Sequence, residues 1–124
     1  MNLKMPKTKA YAPKWFYDDV YRVNYYVDCG ATGSKLVDWF NENDTQHILN
    51  WGGDEADGCS WNVLGYDQLI WVRKKSDIAS LVHECVHAAQ AVLVHRGIDC
   101  NEVGSEPMAY YIQYVFNKCR EVLK

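Results

Sequence analysis

The sequence has no Cys-x-x-Cys pair, no apolar run long enough to cross a bilayer and no surplus of basic charge. Each absence removes a class of function. The five cysteines (Cys29, Cys59, Cys85, Cys100 and Cys119) are odd in number and widely spread, which suits reduced thiols in a cytosol better than a disulfide framework. Thirteen Lys and Arg against sixteen Asp and Glu leave a net charge of −3, so nucleic acid is not an expected partner. Lys4, Lys7, Lys9 and Lys14 mark the N-terminal stretch, but no apolar h-region accompanies them. Neither a secretory signal nor a membrane anchor is expected, and the predicted compartment is cytoplasmic.

What the sequence does contain is a core. With 124 residues, 48% hydrophobic and 14% aromatic, the chain has the material for one domain. Residues 1–13, polar and broken by Pro6 and Pro13, are expected to be a mobile tail, leaving 14–124 as the domain. Val20 to Val27 sets Tyr21, Val23, Tyr25 and Val27 against Arg22, Asn24 and Tyr26, the period of a half-buried strand. Gly30 and Gly33 mark a turn, and Ser34 caps a short helix with Leu36, Val37 and Phe40 inward. Trp51 to Gly58 is a loop by composition, its Asp54, Glu55 and Asp57 lacking calcium-loop spacing. Ser60–Leu64 and Gln68–Lys74 read as two strands joined by a turn. The second runs into the next helix and, if it lies at a sheet edge, can pair with an extended peptide.

That next helix carries the most informative residues, His83-Glu84-Cys85-Val86-His87. Ser76 or Asp77 is its expected N-cap and Gly97 its closing residue. Ile78, Leu81, Cys85, Ala88, Ala89 and Val92 form an apolar stripe, with Ser80, His83, His87 and Gln90 on the other side. Residues i and i+4 lie one turn apart on one helix face, so both imidazoles reach the same metal ion. Glu84 lies about 100° round from His83, within reach of a water on that metal. This is the HExxH pattern, with two histidine ligands and a general base.

A hydrolytic zinc site takes three protein ligands and one open position. After Gly97, Glu106-Pro107 opens a last helix reaching about Val122, with proline tolerated in its first turn. Met108, Tyr111, Ile112, Val115, Phe116, Cys119 and Val122 form its apolar face; Glu106, Tyr110, Gln113 and Asn117 share the opposite one. Glu106 is therefore the expected third ligand, with Glu102 as its rival in the preceding connection. Tyr110 is the candidate donor to the oxyanion, with Tyr114 a second. His47 and His95 are weaker candidates, His95 standing two turns beyond His87.

Positions 88 through 105, eighteen residues, separate His87 from Glu106, and Glu106 to Ala109 reads Glu-x-x-Ala. In these features the chain resembles the gluzincin class of zinc metallopeptidases, in which HExxH is followed by a glutamate ligand on the next helix. At this length it is most similar to the very small gluzincins and the short HExxH proteins encoded by bacteriophages, over roughly residues 58 to 116. The resemblance implies an α+β, zincin-like domain, with a short mixed sheet packed on the HExxH helix and a following glutamate helix. It implies Zn²⁺ held by His83, His87 and Glu106, with Glu84 as general base in hydrolysis of a peptide or protein substrate. No aminopeptidase substrate motif precedes the helix, so exopeptidase action is not implied. The alternative is a catalytically idle zinc-binding interaction or regulatory protein, in which the metal stabilises a small domain.

Overall fold

A computed structural model of the chain describes residues 11–43, 49–52, 55–62, 67–98 and 106–124. Strands β1 (Lys14–Asp18) and β2 (Val23–Cys29) are followed by helix α1 (Ser34–Asn43), strands β3 (Gly58–Asn62) and β4 (Gln68–Val72), and helices α2 (Ile78–His95) and α3 (Glu106–Val122). The strands form one mixed sheet in the order β1-β2-β4-β3, parallel only between β2 and β4. The domain is thus α+β, as expected.

Alternation sorts the side chains to two faces. Val23, Tyr25 and Val27 of β2, Ile70 and Val72 of β4 and Phe16 of β1 are buried under α2 and α3. Leu69 and Trp71 of β4 face the other way and pack with Leu36 and Phe40 of α1. All five residues of β4 are buried, because this strand is covered on both faces and paired on both edges. The sequence left open whether β4 lies at the sheet edge. It is interior, and the edge position beside α2 belongs to β3.

β1 was not foreseen. Its five residues alternate Trp15 and Tyr17 outward with Phe16 and Asp18 inward, but the inward Asp18 hides the apolar period. That aspartate also moves the start of β2 from Val20 to Val23. Its Oδ1 accepts the backbone N–H groups of Val20 (2.9 Å) and Tyr21 (3.4 Å), making a turn that Arg22 completes at φ 59°. Asp18 is fully buried and its Oδ2 accepts the Tyr111 hydroxyl of α3 at 2.5 Å, with Tyr25 OH 2.7 Å from Tyr111 OH. The buried carboxylate is thereby satisfied, and the hairpin is tied to the last helix. Residues assigned from sequence to the tail also reach the domain: Tyr11 OH donates to Asp28, and Pro13 is buried. Residues 1–10 lie outside the described residues.

The caps of α2 follow the sequence. Asp77 accepts the Ser80 N–H at 3.1 Å and the Ser80 hydroxyl at 2.7 Å, bonds that hold its carboxyl below the usual range. Gly97 follows the helix at φ 80°, a left-handed position that glycine takes without strain. α2 and α3 pack antiparallel. Gln90 near the end of α2 meets Met108 near the start of α3, while Cys85 meets Cys119 further along. The contact with Cys85, followed by burial, pushes the Cys119 thiol up, keeping it protonated within the helix interface. Among the described residues no helix is long and apolar enough to cross a membrane.

Candidate metal centre

α2 lies across β4 and β3, with α3 on the β1 side of the same face. Of its expected apolar stripe, Leu81, Cys85, Ala88, Ala89 and Val92 are buried and fix the rotation of the helix, while Ile78 in the first turn is 41% exposed. His83 and His87 then emerge exposed on the flank that faces the edge strand. Their Nε2 atoms stand 3.1 Å apart, the rings nearly perpendicular with centroids 4.7 Å apart. Two imidazole nitrogens at that separation are satisfied in one of two ways: a proton shared between them, or one cation accepting both lone pairs. At zinc–nitrogen lengths of about 2.0–2.1 Å, this separation corresponds to an angle of roughly 95–100° at the metal, close to tetrahedral. The separation of the two nitrogens is compatible with a single metal ion.

Glu84 points into the recess between α2 and β3, a space of about 540 Å³ whose lining includes Gly58, Ser60 and Asn62 along with His83, Glu84 and His87. The β3–β4 register explains this lining. Gly58, Ser60 and Asn62 pair with Val72, Ile70 and Gln68, so they project to the α2 side. Cys59 and Trp61 also border the recess along the strand and pack against the cluster under α1.

Gly58 is the residue that admits Glu84. A Cβ at this position would lie 2.9 Å from Glu84 Cγ, 3.1 Å from Glu84 Oε2 and 3.1 Å from the carbonyl oxygen of Trp71. Glu84 is only 7% exposed, and among the described residues its carboxylate has no hydrogen-bond or ion-pair partner. Packing against the bare Gly58 backbone holds it beside the histidines. Burial and then the negative field of Glu84 push the Cys59 thiol up.

The structure therefore brings His83, Glu84 and His87 together. It does not bring Glu106 to them: among the described residues no group of three or more His, Cys, Asp or Glu side chains is gathered to hold a metal. Glu106 opens α3, exposed. Gln90 and Met108 meet where the end of α2 lies beside the start of α3, so Glu106 stands near the C-terminal end of α2, past the His83–His87 turn. Tyr110 is 67% exposed and does not line the recess, since the apolar stripe of α3 turns its position outward. Tyr114 packs against Phe16 and Tyr111, a role in the core. His95 is exposed in the last turn of α2. Glu102 and His47 lie outside the described residues.

The sequence reading missed Gly58, which it placed in the loop of residues 51–58. A lone glycine opening a strand marks a close backbone approach, and this was the available signal. Comparison with family models, with curated proteins and with solved structures returns no match, so the functional reading rests on the geometry of the site itself.

Proposed function

We propose that this chain is a zinc-dependent metallopeptidase of zincin-like fold, acting on extended peptide or protein segments. The observation that carries the reading is the convergence of His83 Nε2 and His87 Nε2 at 3.1 Å with Glu84 held beside them against the edge strand. His83 and His87 would hold the ion, and Glu106, the third ligand expected from the sequence, would complete the set only by moving closer than its place at the start of α3. Zinc bound there would supply Lewis acidity toward a peptide carbonyl and bring the pKa of a water toward neutrality. Glu84 takes the proton from that water and returns it to the leaving amine. β3 ends the sheet beside this carboxylate, and its outward backbone groups suit pairing with an extended substrate. A purely structural metal has no use for a glutamate packed in this way, which favours the catalytic reading over an idle zinc protein.

Purified protein is expected to carry about one zinc per chain and to cleave casein or a peptide library. A strong chelator is expected to lower its Tm, because a ligand at one hundred times its Kd stabilises the native state by about 2.7 kcal/mol. Metal analysis that finds no zinc, with no melting shift on adding it, rules the proposal out. Zinc binding without cleavage of any substrate leaves the structural role instead.

Gly58→Ala separates positioning from metal binding. The added methyl meets Glu84 on one side and the Trp71 backbone on the other, so the glutamate must move. The expected result is a fall in kcat of about 10-fold or more, as for loss of part of general-base catalysis, with zinc content and KM near wild type. An unchanged kcat means that Gly58 does not position the base.

A further inference from the structure

A second recess lies on the opposite face of the sheet, about 320 Å³ in volume and lined by Ala12, Pro13, Trp15, Asn24, Tyr26 and Trp39. Three elements contribute its aromatic rings. Trp15 of β1 sits directly across from Tyr26 of β2, and Tyr26 meets Trp39 of α1 with centroids 5.0 Å apart and planes tilted by 51°. Trp15 is 59% exposed and Tyr17, on the same face, 48% exposed, so α1 leaves this end of the sheet open. The recess is aromatic but not electrically neutral. Asp67 precedes β4 by one residue and shares the side of Leu69 and Trp71, and its Oδ1 accepts the backbone N–H of Asn24 at 2.8 Å. Burial, and then the field of Asp67, raise the Tyr26 phenol. α1 adds Asp38 and Glu42 against the single base Lys35. Lys14 lies in register with Phe16 on the far side of the sheet, where its field reaches Cys29. Among the described residues, none that lines the recess is basic.

Electron-rich ring faces beside a carboxylate complement a weakly hydrated cation, and alkylated ammonium groups are the cations that gain most from ring faces. We propose that this recess binds the trimethylammonium head of a small organic cation over the rings of Trp15, Tyr26 and Trp39, with Asp67 as countercharge. At about 320 Å³ the recess has room for such a head group and opens to solvent, where the rest of the ligand would extend. The site lies on the face opposite the histidine pair and is independent of zinc.

The test is a titration of the full chain with choline by ligand-observed NMR, beside the neutral tert-butyl analogue in which carbon replaces the nitrogen. Choline is expected to saturate with a Kd on the order of 1 mM, what a few exposed cation–π contacts provide. The neutral analogue is expected to bind at least about 5-fold more weakly. Trp15→Ala, which removes an exposed ring and leaves the core intact, is expected to weaken choline binding by about 5-fold or more. Asp67→Asn keeps an acceptor for the Asn24 N–H and removes the charge, and a loss of about 3- to 10-fold is expected. No saturable binding up to about 50 mM, or choline binding unchanged by Trp15→Ala, overturns the site. Equal binding of the neutral analogue, or an Asp67→Asn variant that binds choline as wild type does, overturns its preference for a cation.

Discussion

Glu84→Gln is expected to retain its zinc and its fold and to lose peptide hydrolysis by about 100-fold or more, the usual share of a general base. The substitution keeps the shape of a side chain that is 7% exposed and packed against Gly58, so neither a cavity nor a clash is introduced. What it removes is the group able to take and return a proton. Glu84 is not expected to ligate the metal, so zinc content measured by metal analysis should match wild type while kcat collapses. A variant as active as the wild type shows that the proton acceptor lies elsewhere. A variant that loses zinc in proportion to its activity makes Glu84 a ligand, contrary to the proposed roles.

The third ligand carries the other large expected effect. Glu106→Ala is expected to lose zinc affinity by more than the 10- to 100-fold typical of groups that only support a ligand, whereas Glu102→Ala should bind with little change. Glu106 opens a helix whose buried Tyr111, Val115 and Cys119 fix its rotation, and that helix packs along α2 through Met108 and Cys119. Glu106 stands exposed at the start of that helix, outside the group formed by His83, Glu84 and His87, so a zinc titration tests whether it joins them when zinc is bound. Competitive titration of both variants against a chromogenic chelator decides between them. The reverse order of affinities transfers the ligand to Glu102 and removes the correspondence with the gluzincin pattern.

Much of the local structure around the histidines was legible because it is written in short-range chemistry. Asp77 and Gly97 bound α2 through a side-chain cap and a left-handed backbone position, each set by one residue and its immediate neighbours. The apolar period of Leu81 to Val92 told which side of that helix would be buried, and hence that His83 and His87 would share the other, although Ile78, expected on the same stripe, is exposed. The first strand was illegible for the converse reason. Asp18 occupies an inward position where the period calls for an apolar residue, and only Tyr111, far along the chain, makes its burial tolerable.

The sequence by itself determined the HExxH constellation, the α+β class and the two amphipathic helices, since periodicity and capping depend on residues within a turn or two of one another. Tertiary structure alone decided that β4 is interior and β3 the edge, because strand order depends on which chains of backbone donors and acceptors find each other across the sheet. It alone brought Gly58 against Glu84, a contact between residues far apart in sequence that exists only once α2 has docked on β3. It also left Tyr110 facing solvent and Glu106 outside the gathered group. Side chains on one helix face share a direction, but which groups they meet is set by the packing of that helix on its neighbours.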